Sequence, residues 1–326
     1  MTKAIRISEP GGPEKMKLVD ITLDEPAPGH VKVRHTAIGV NFIDTYHRSG
    51  LYPIPYPSGI GLEAAGVVTA LGDGVTHLKV GDRVAYGSGP LGAYSEEQNT
   101  FAARVAKIPD AVSDEEAACL MMKGMTVRYL FKGTYKVKSG DTILFHAAAG
   151  GVGLIACQWA KDLGVTLIGT VSTEEKAELA KANGCAHVIN YSHEDIATRV
   201  KEITDGKGVP VVYDGVGKDT FVASLDCLQP RGLLASFGNA SGPVTDVDLG
   251  ILATKGSLYV TRPTMIHYTM TQEDFDETAA DVFDAVARGA IKANINQRYP
   301  LSQAARAHED LAARKTTGAS ILLPGS

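Results

Sequence analysis

Small residues after an apolar run have a spacing that could bind phosphate. Ala148, Gly150 and Gly153 fill the positions of a G-x-G-x-x-G fingerprint, with alanine in the first place. Residues 143–145 before them have strand character, and residues 154–160 after them fit a helix. In such a unit the backbone turns sharply, and its N–H groups and the helix N-terminus favour a pyrophosphate. The segment predicts a dinucleotide site, although a tight turn without a ligand would share the pattern.

The end of the next predicted strand bears on which dinucleotide would bind. A dinucleotide fold usually has Asp or Glu there, about 20 residues past the glycines, to bind the ribose 2′-hydroxyl of NAD. Here the strand ends at Ser172, and Lys176 follows one turn into the next helix. A hydroxyl and an ammonium would accept a 2′-phosphate that an acid repels, so NADPH is favoured over NADH. Lys176 could instead be an ordinary solvated lysine, and Glu174 and Glu175 weaken the preference.

Composition limits the class of protein. The chain has 326 residues, 44% of them apolar and 21% charged, as in a soluble globular protein of one large or two ordinary domains. A net charge of −5 argues against nucleic acid or anionic membranes as partners. No apolar run has membrane-spanning length, and residues 3–7 alternate like a strand rather than a signal peptide. The four cysteines form no C-x-x-C pair and fit reduced thiols in the cytoplasm.

The pattern changes twice along the chain, which predicts an α/β protein of two domains. Residues 1–110 hold short alternating runs between Gly- and Pro-containing turns, as in a mainly antiparallel β domain. Residues 140–262 alternate strands and helices, as in a doubly wound parallel sheet of the Rossmann type. Two helices and a final strand follow, and we expect them to rejoin the first domain. The predicted domains are 1–122 with 264–326, and 123–263 for the nucleotide.

Between these regions the sequence predicts two short helices. Ser113 and Glu116 form a capping box, which indicates a helix from there to about Met121. A second helix is expected near residues 125–135. The break between them would be the hinge between the domains.

Residues 61–68 carry a second motif, G-x-E-x-x-G-x-V, whose acid is Glu63. With the glycine fingerprint it resembles the medium-chain dehydrogenase/reductase superfamily, which implies a GroES-like catalytic domain and a Rossmann domain. In the zinc alcohol dehydrogenases of that superfamily a zinc-binding His precedes this Glu, whereas here Leu62 does. No cysteine precedes Cys119, the four-Cys zinc lobe is missing, and the histidines show no ligand spacing. Zinc catalysis is therefore not expected.

The stretch from Gly140 to Lys161 narrows the resemblance. It fits G-D-x-x-L-x-x-x-A-A-G-G-x-G-x-x-x-x-Q-x-x-K and is similar to the zinc-free, zeta-crystallin-like quinone oxidoreductases, in particular bacterial NADPH:quinone reductases. The similarity extends over the whole chain. It implies NADPH as cofactor, with neither zinc nor flavin.

The resemblance and the strand ends together give a set of expected cofactor contacts, each of which also has a structural explanation. Phe237, for example, could belong to the core, and Arg314 could cap its own helix. The nicotinamide side is expected to include Asn41, Phe42, Tyr46 and Thr126. The phosphates, the adenosine and the other strand ends are expected to involve Ala149, Gly150, Gly151, Val152, Gly153, Ser172, Lys176, Tyr191, Val216, Phe237, Gly238 and Arg314.

The expected chemistry follows from the lack of a metal. A hydride from NADPH then needs an acceptor with its own electron sink, such as a quinone or an α,β-unsaturated ketone. Tyr46 and Asn41 are the candidate catalytic donors to the developing oxyanion. The main hypothesis is a quinone reductase, and the second is an enone or enoyl reductase. A third is a non-catalytic NADPH- or RNA-binding crystallin-like protein, although the acidic charge balance argues against RNA.

Residues 256–261 predict the last strand of the nucleotide sheet. The run has no charge between Lys255 and Arg262, and such an apolar free edge promotes aggregation unless it is paired. We expect two copies to pair along this edge, between Ser257 and Thr261, in a homodimer.

Overall fold

A computed structural model describes residues 1–325, which form two compact units. Unit 1 is Met1–Met125 with Thr269–Ser326, and unit 2 is Thr126–Tyr268. The sequence predicted a catalytic domain, 1–122 with 264–326, and a nucleotide-binding domain, 123–263, and these two assignments stay a prediction.

The N-terminal part of unit 1 consists of short strands and few helices. β1 lies between β2 and β4 in a three-stranded antiparallel sheet, while β3 pairs antiparallel with β5 and β7 and continues through β5 to β6 and β8. This arrangement confirms the mainly antiparallel β domain. The elements are β1 (Thr2–Ile7), β2 (Lys17–Ile21), β3 (His30–Val40), α1 (Phe42–Ser49), β4 (Ser58–Gly59), β5 (Glu63–Leu71), β6 (Arg83–Tyr86), β7 (Glu97–Phe101), β8 (Ala106–Lys107) and α2 (Asp114–Tyr129), with 3-10 turns at Pro13–Lys15 and Ala102–Arg104.

Unit 2 alternates strands and helices around one parallel sheet. The strand order is β11-β10-β9-β12-β13-β14, and every neighbouring pair is parallel, which confirms the doubly wound sheet. Leu144, Ile168 and Val212 on its central strands are fully buried, because helices cover both faces of such a sheet. The elements are β9 (Thr142–Phe145), α3 (Gly151–Asp162), β10 (Thr166–Val171), α4 (Glu174–Ala182), β11 (His187–Asn190), α5 (Ile196–Ile203), β12 (Val209–Asp214), α6 (Phe221–Asp226), β13 (Leu228–Ser236), α7 (Gly250–Thr254), β14 (Tyr259–Thr261) and α8 (Met265–Tyr268).

The C-terminal segment returns to the antiparallel sheet of unit 1, as expected. It contains α9 (Gln272–Ala287), β15 (Ile295–Pro300), a 3-10 turn at Leu301–Gln303, α10 (Ala304–Ala312) and β16 (Ala319–Leu323). β16 pairs antiparallel with β3 and parallel with β15. No helix in residues 1–325 combines the length and the hydropathy that a membrane crossing requires.

The two helices predicted near 113–121 and 125–135 are in fact one. α2 runs without a break from Asp114 to Tyr129, and a π-helical turn, Leu130–Thr134, follows it. The capping box itself is confirmed, since the Glu116 N–H donates to Ser113 Oγ and the Ser113 N–H to the Glu116 carboxylate. Gly124 does not end the helix. A Cβ there would lie 2.8 Å from Cγ1 of Val282, so glycine is needed where α2 and α9 approach closely.

Candidate functional site

The predicted phosphate turn joins β9 to α3 in unit 2. Ala147 has a φ of 55°, and Gly150 is the extended N-cap of α3. A Cβ on Gly153 would lie 2.3 Å from the Ala147 carbonyl oxygen and 2.7 Å from Cα of Ala148. A residue without a side chain is therefore required for the first turn of α3 to pack on the loop, which is the role of the last glycine in a dinucleotide fingerprint. Ala149, Gly151 and Val152 complete this turn.

The end of β10 presents hydroxyls rather than an acid. Ser172 follows the strand, and its carbonyl oxygen accepts from Ser192 Oγ at 2.8 Å. Thr173 caps α4, because its Oγ1 accepts the Lys176 backbone N–H at 3.3 Å. The two acids that follow make local bonds.

Glu174 accepts Nδ2 of Asn190 at 2.6 Å. The pKa of Glu175 is lowered because its carboxylate accepts from the Glu175 backbone N–H and from the Thr173 hydroxyl. Glu174 is thereby used in the contact of α4 with β11 and Glu175 at the N-terminus of α4, directly before Lys176.

The remaining strand ends of unit 2 lie along the same edge of the sheet, since the carboxyl ends of parallel strands coincide. Tyr191 follows β11 and is 40% exposed, with its N–H bonded to the Val171 carbonyl oxygen. Val216 follows β12, and the Phe237 ring after β13 lies 5.6 Å from that of Phe145. The parallel sheet therefore brings together the residues predicted for the phosphates, adenosine and strand ends of unit 2, namely the 148–153 turn, Ser172, Lys176, Tyr191, Val216, Phe237 and Gly238.

Asp214 organises the end of β12, and sequence reasoning missed it. Its buried carboxylate accepts the N–H groups of Val216 (2.8 Å) and Gly217 (3.0 Å). It also accepts the hydroxyls of Thr220 and Ser224, and Ser224 Oγ lies 2.9 Å from Nε2 of His146 after β9. The signal was an acid directly after an apolar strand, followed by hydroxyl residues, which is a pattern that fixes a loop.

Two further polar groups belong to unit 2. Arg262 was not predicted, and its Nη1 donates to the carbonyl oxygens of Ser236 (2.7 Å) and Gly238 (3.1 Å), so a cation lies at the end of β13. Thr126 is on α2, nearly buried, and is hydrogen-bonded to Tyr129.

In unit 1 the predicted nicotinamide residues lie at the start of α1. Asn41 is its N-cap, and the Asn41 N–H donates to Oδ2 of Asp44 at 2.9 Å. The rings of Phe42 and Tyr46 are 6.4 Å apart, and the Tyr46 ring meets that of Tyr52 edge-on at 5.2 Å. The helix, which the sequence did not predict, places an amide and three aromatic rings in one short segment. The N-x-x-D pattern of a capping box was the available signal.

Glu63, the acid of the second motif, holds the Asn41 side chain. Its Oε2 accepts Asn41 Nδ2 at 2.8 Å and Lys123 Nζ at 2.9 Å, and its Oε1 accepts the Met122 N–H at 2.6 Å. Both charged side chains are buried. Burial alone would lower the pKa of Lys123, but the adjacent Glu63 carboxylate outweighs it and raises that pKa. An acid within an apolar strand was the sequence signal that a cation must lie nearby.

A second series of buried hydrogen bonds connects the two ends of α1. Arg48 Nη1 lies 3.1 Å from Nδ1 of His308, His308 Nε2 lies 2.9 Å from the Tyr94 hydroxyl, and that hydroxyl donates to Asp44 Oδ2 at 2.9 Å. Arginine only donates, so Nδ1 of His308 accepts and its Nε2 carries the proton. The bonds therefore run in one direction, from Arg48 to Asp44. Burial raises the pKa of Asp44 to about 7, and burial together with Arg48 lowers that of His308 to about 3.

The last predicted contact, Arg314, follows α10 in unit 1. It has a φ of 58°, and its N–H donates to the Leu311 carbonyl oxygen at 3.1 Å. Its contact with a cofactor phosphate stays a prediction, as do the cofactor contacts of Asn41, Phe42, Tyr46 and the strand-end residues. Within residues 1–325 no group of three or more His, Cys, Asp or Glu side chains could hold a metal ion.

The chain is similar to known proteins over nearly its whole length. A family model described as "Alcohol dehydrogenase GroES-like domain" matches residues 27–110, and one described as "Zinc-binding dehydrogenase" matches residues 151–285. A "Quinone oxidoreductase" of Pseudomonas aeruginosa is 59% identical over 325 residues, covering 99% of this chain and all of that protein.

Two further similarities concern ligand and substrate. The crystal structure of an Escherichia coli quinone oxidoreductase complexed with NADPH has a TM-score of 0.97 and 54% identity, over 99% of this chain and all of that one. A "2-haloacrylate reductase" of a Burkholderia species is 49% identical, over 99% of each chain.

Proposed function

The chain belongs to the quinone oxidoreductases of the medium-chain dehydrogenase/reductase superfamily, and we propose that it reduces quinones with NADPH. The observation that carries the proposal is the end of β10 in unit 2, where Ser172 and Lys176 follow a dinucleotide turn and no acid ends the strand. The quinone is inferred from the names of full-length relatives, of which the Pseudomonas aeruginosa protein is 59% identical.

The residues of unit 2 fit NADPH. A glycine at 153 brings α3 against the phosphate turn, and the turn and helix start together provide N–H groups for a pyrophosphate. The 2′-phosphate would meet the Ser172 hydroxyl, the Lys176 ammonium and the ring of Tyr191. Arg314, from unit 1, would be a cation for the cofactor phosphates. Val216, Phe237, Gly238 and Thr126 would contact the rest of the cofactor.

When bound, NADPH supplies a hydride from its nicotinamide. The protein would act mainly by placement, because a quinone accepts the hydride into its own conjugated system. Phe42 and Tyr46 would pack on the reacting rings, and the donors of Asn41 and Tyr46 would stabilise the oxyanion that develops. The zinc-ligand position before Glu63 is Leu62, so we propose that neither zinc nor flavin takes part.

NADPH oxidation against a panel of quinones, enones and aldehydes tests the proposal. We expect quinones to give the highest kcat/KM, and Lys176→Ala to raise KM for NADPH far more than KM for NADH. Lys181→Ala, a lysine of the same helix paired with Glu178, is the matched control. Equal effects on both cofactors would show that Lys176 does not bind the 2′-phosphate.

A second candidate activity is reduction of activated alkenes. It is favoured by the 49% identity to a 2-haloacrylate reductase, whose substrate has a carbon–carbon double bond beside a carboxylate. The same panel separates the two, since activity with enones or 2-haloacrylate and none with quinones would select this candidate. We do not propose the RNA-binding alternative. Detection of RNA binding in a gel-shift titration would contradict this.

We also propose that the protein is a homodimer formed along β14. This strand is the edge of the parallel sheet, and its Tyr259 and Val260 are 61% and 41% exposed. An apolar edge with unpaired backbone groups favours pairing with a second copy. Light scattering at micromolar concentration should give twice the chain mass, and Val260→Pro should give the monomer.

A further inference from the structure

The Asn41 side chain is held by the ion pair of Glu63 and Lys123, two residues that have no role in the proposed reaction. Glu63 Oε2 accepts Asn41 Nδ2 at 2.8 Å and Lys123 Nζ at 2.9 Å, and none of the Glu63 side chain is exposed. Since the Asn41 backbone N–H is also bonded, to Asp44, both ends of this residue are held.

The Glu63 contact determines which way the Asn41 amide points. A carboxylate only accepts hydrogen bonds, so Nδ2 and not Oδ1 must face it. Turning the amide over would place two acceptor oxygens about 2.8 Å apart with no hydrogen between them. With Nδ2 turned to Glu63, Oδ1 lies on the side of the Asp44 backbone N–H in the capping box of α1, and the second hydrogen of Nδ2 is the group that Asn41 presents to a ligand.

Lys123 is what makes this direction permanent. A carboxylate buried without a cation is unfavourable, and the ammonium of Lys123 is the charge that balances Glu63 beside Asn41. The ammonium of Lys123 and the N–H of Met122, 2.6 Å from Oε1, together hold Glu63 as an acceptor. The buried pair thus acts on Asn41 through charge rather than through shape.

We propose that Glu63, paired with Lys123, is a positioning residue that sets the direction of the Asn41 amide toward the nicotinamide and the quinone oxygen. The inference rests on the proposed function, because it assumes that Asn41 contacts those ligands. Neither Glu63 nor Lys123 needs to touch a ligand in this role.

A double variant, Glu63→Gln with Lys123→Met, reverses the Asn41 amide and still leaves it a polar partner at residue 63. The carbonyl of the introduced glutamine must accept the Met122 N–H, since two donors would otherwise meet at 2.6 Å. The NH2 group of that glutamine then faces Asn41, which turns Oδ1 toward it. A second double variant, E63M/K123M, replaces the pair by apolar side chains of similar volume, a change that proteins often tolerate.

The test is a cycle of these variants with Asn41→Ala. The measurements are the Kd of NADPH and of NADP from fluorescence titration, kcat and KM with a benzoquinone, and the urea midpoint. Loss of one oriented hydrogen bond should lower kcat/KM by roughly tenfold in Asn41→Ala and in each double variant. In the Asn41→Ala background the pair substitutions should change kcat/KM and Kd by less than about twofold.

A matched control breaks another ion pair of unit 1. Arg83 and Asp114 are joined at 2.6 Å, and R83Q/D114N should lower the urea midpoint while leaving kcat/KM and Kd unchanged. If the pair substitutions lower kcat/KM as much in the Asn41→Ala background as they do alone, the positioning role is wrong and the pair is merely structural. Wild-type kinetics in both pair variants would also contradict the positioning role. If Asn41→Ala itself has wild-type Kd and kcat/KM, Asn41 does not contact the ligands, and the proposed function is wrong at this residue. This outcome is distinct from the two above, which contradict only the positioning role of Glu63.

Discussion

Replacing Asp44 by Asn should change how stability depends on pH. Asp44 is fully buried at the start of α1, and its pKa is raised to about 7 by burial, with Glu63 raising it further and Tyr94, the Asn41 N–H and Lys123 lowering it. Its Oδ2 accepts from Tyr94 and Asn41, whereas Oδ1 has no hydrogen-bond partner. An asparagine keeps the accepting oxygen and places NH2 where the protonated acid would carry its O–H, so it imitates neutral Asp44.

The size of the effect follows from the pKa shift. The unfolded value is 3.8 and the folded value about 7, so a native Asp44 holds its proton more tightly. Its contribution is complete below the unfolded pKa and is lost as pH rises through the folded one. About three units correspond to about 4 kcal/mol in total, of which about 2.5 kcal/mol is lost between about pH 5 and about pH 8.

Urea unfolding of wild type and Asp44→Asn, followed by circular dichroism across that range, measures the difference directly. Burial lowers the pKa of His35 to about 4 and of His308 to about 3, so both favour unfolding at acid pH, but the comparison cancels them. The variant should be more stable than wild type by about 1.7 kcal/mol near pH 5 and by about 4 kcal/mol near pH 8, so its advantage should grow by about 2.5 kcal/mol across that range. Asp20→Asn, on exposed β2, is the control. Parallel curves for wild type and Asp44→Asn would refute the reasoning.

Three further outcomes are expected. Gly153→Ala should lower the free energy of unfolding, followed by the fluorescence of Trp159, the single tryptophan, by about 1–3 kcal/mol and weaken NADPH binding at least about tenfold, because its Cβ would lie 2.3 Å from the Ala147 oxygen. An unchanged Kd in titration would count against the turn as a phosphate site. Ser172→Asp should reverse the cofactor preference in favour of NADH, since an acid repels a 2′-phosphate, as the ratio of kcat/KM for the two cofactors will show. Dialysis against a zinc chelator should leave quinone reduction unchanged, and activity restored only by added zinc would contradict the zinc-free proposal.

Much of the fold could be predicted because local patterns and packing agree. The alternation of strands and helices over residues 140–262 predicted the parallel sheet of unit 2, and the apolar runs of its central strands β9, β10 and β12 are buried. The interpretation failed where tertiary contacts reversed a local signal. Gly124 favours a helix break, but it is packed on α9, and Lys123 beside it is bonded to Glu63, so α2 continues.

The candidate site divides in the same way. The phosphate turn and the strand ends of unit 2 follow from motif spacing, because parallel topology places every strand's carboxyl end at one edge. The supports of Asn41 do not follow, because Glu63 and Lys123 are 60 residues apart and Tyr94 and His308 are 214 apart. No local pattern encodes such a pairing.

By itself, then, the sequence determined the dinucleotide turn, the strand end without an acid and the order of elements. These depend on residues near one another in the chain, where spacing and backbone geometry suffice. Only the tertiary structure decided how Asn41 and α1 are held. A buried polar group is tolerable only when a partner meets it, and which distant residue supplies that partner is settled when the chain packs.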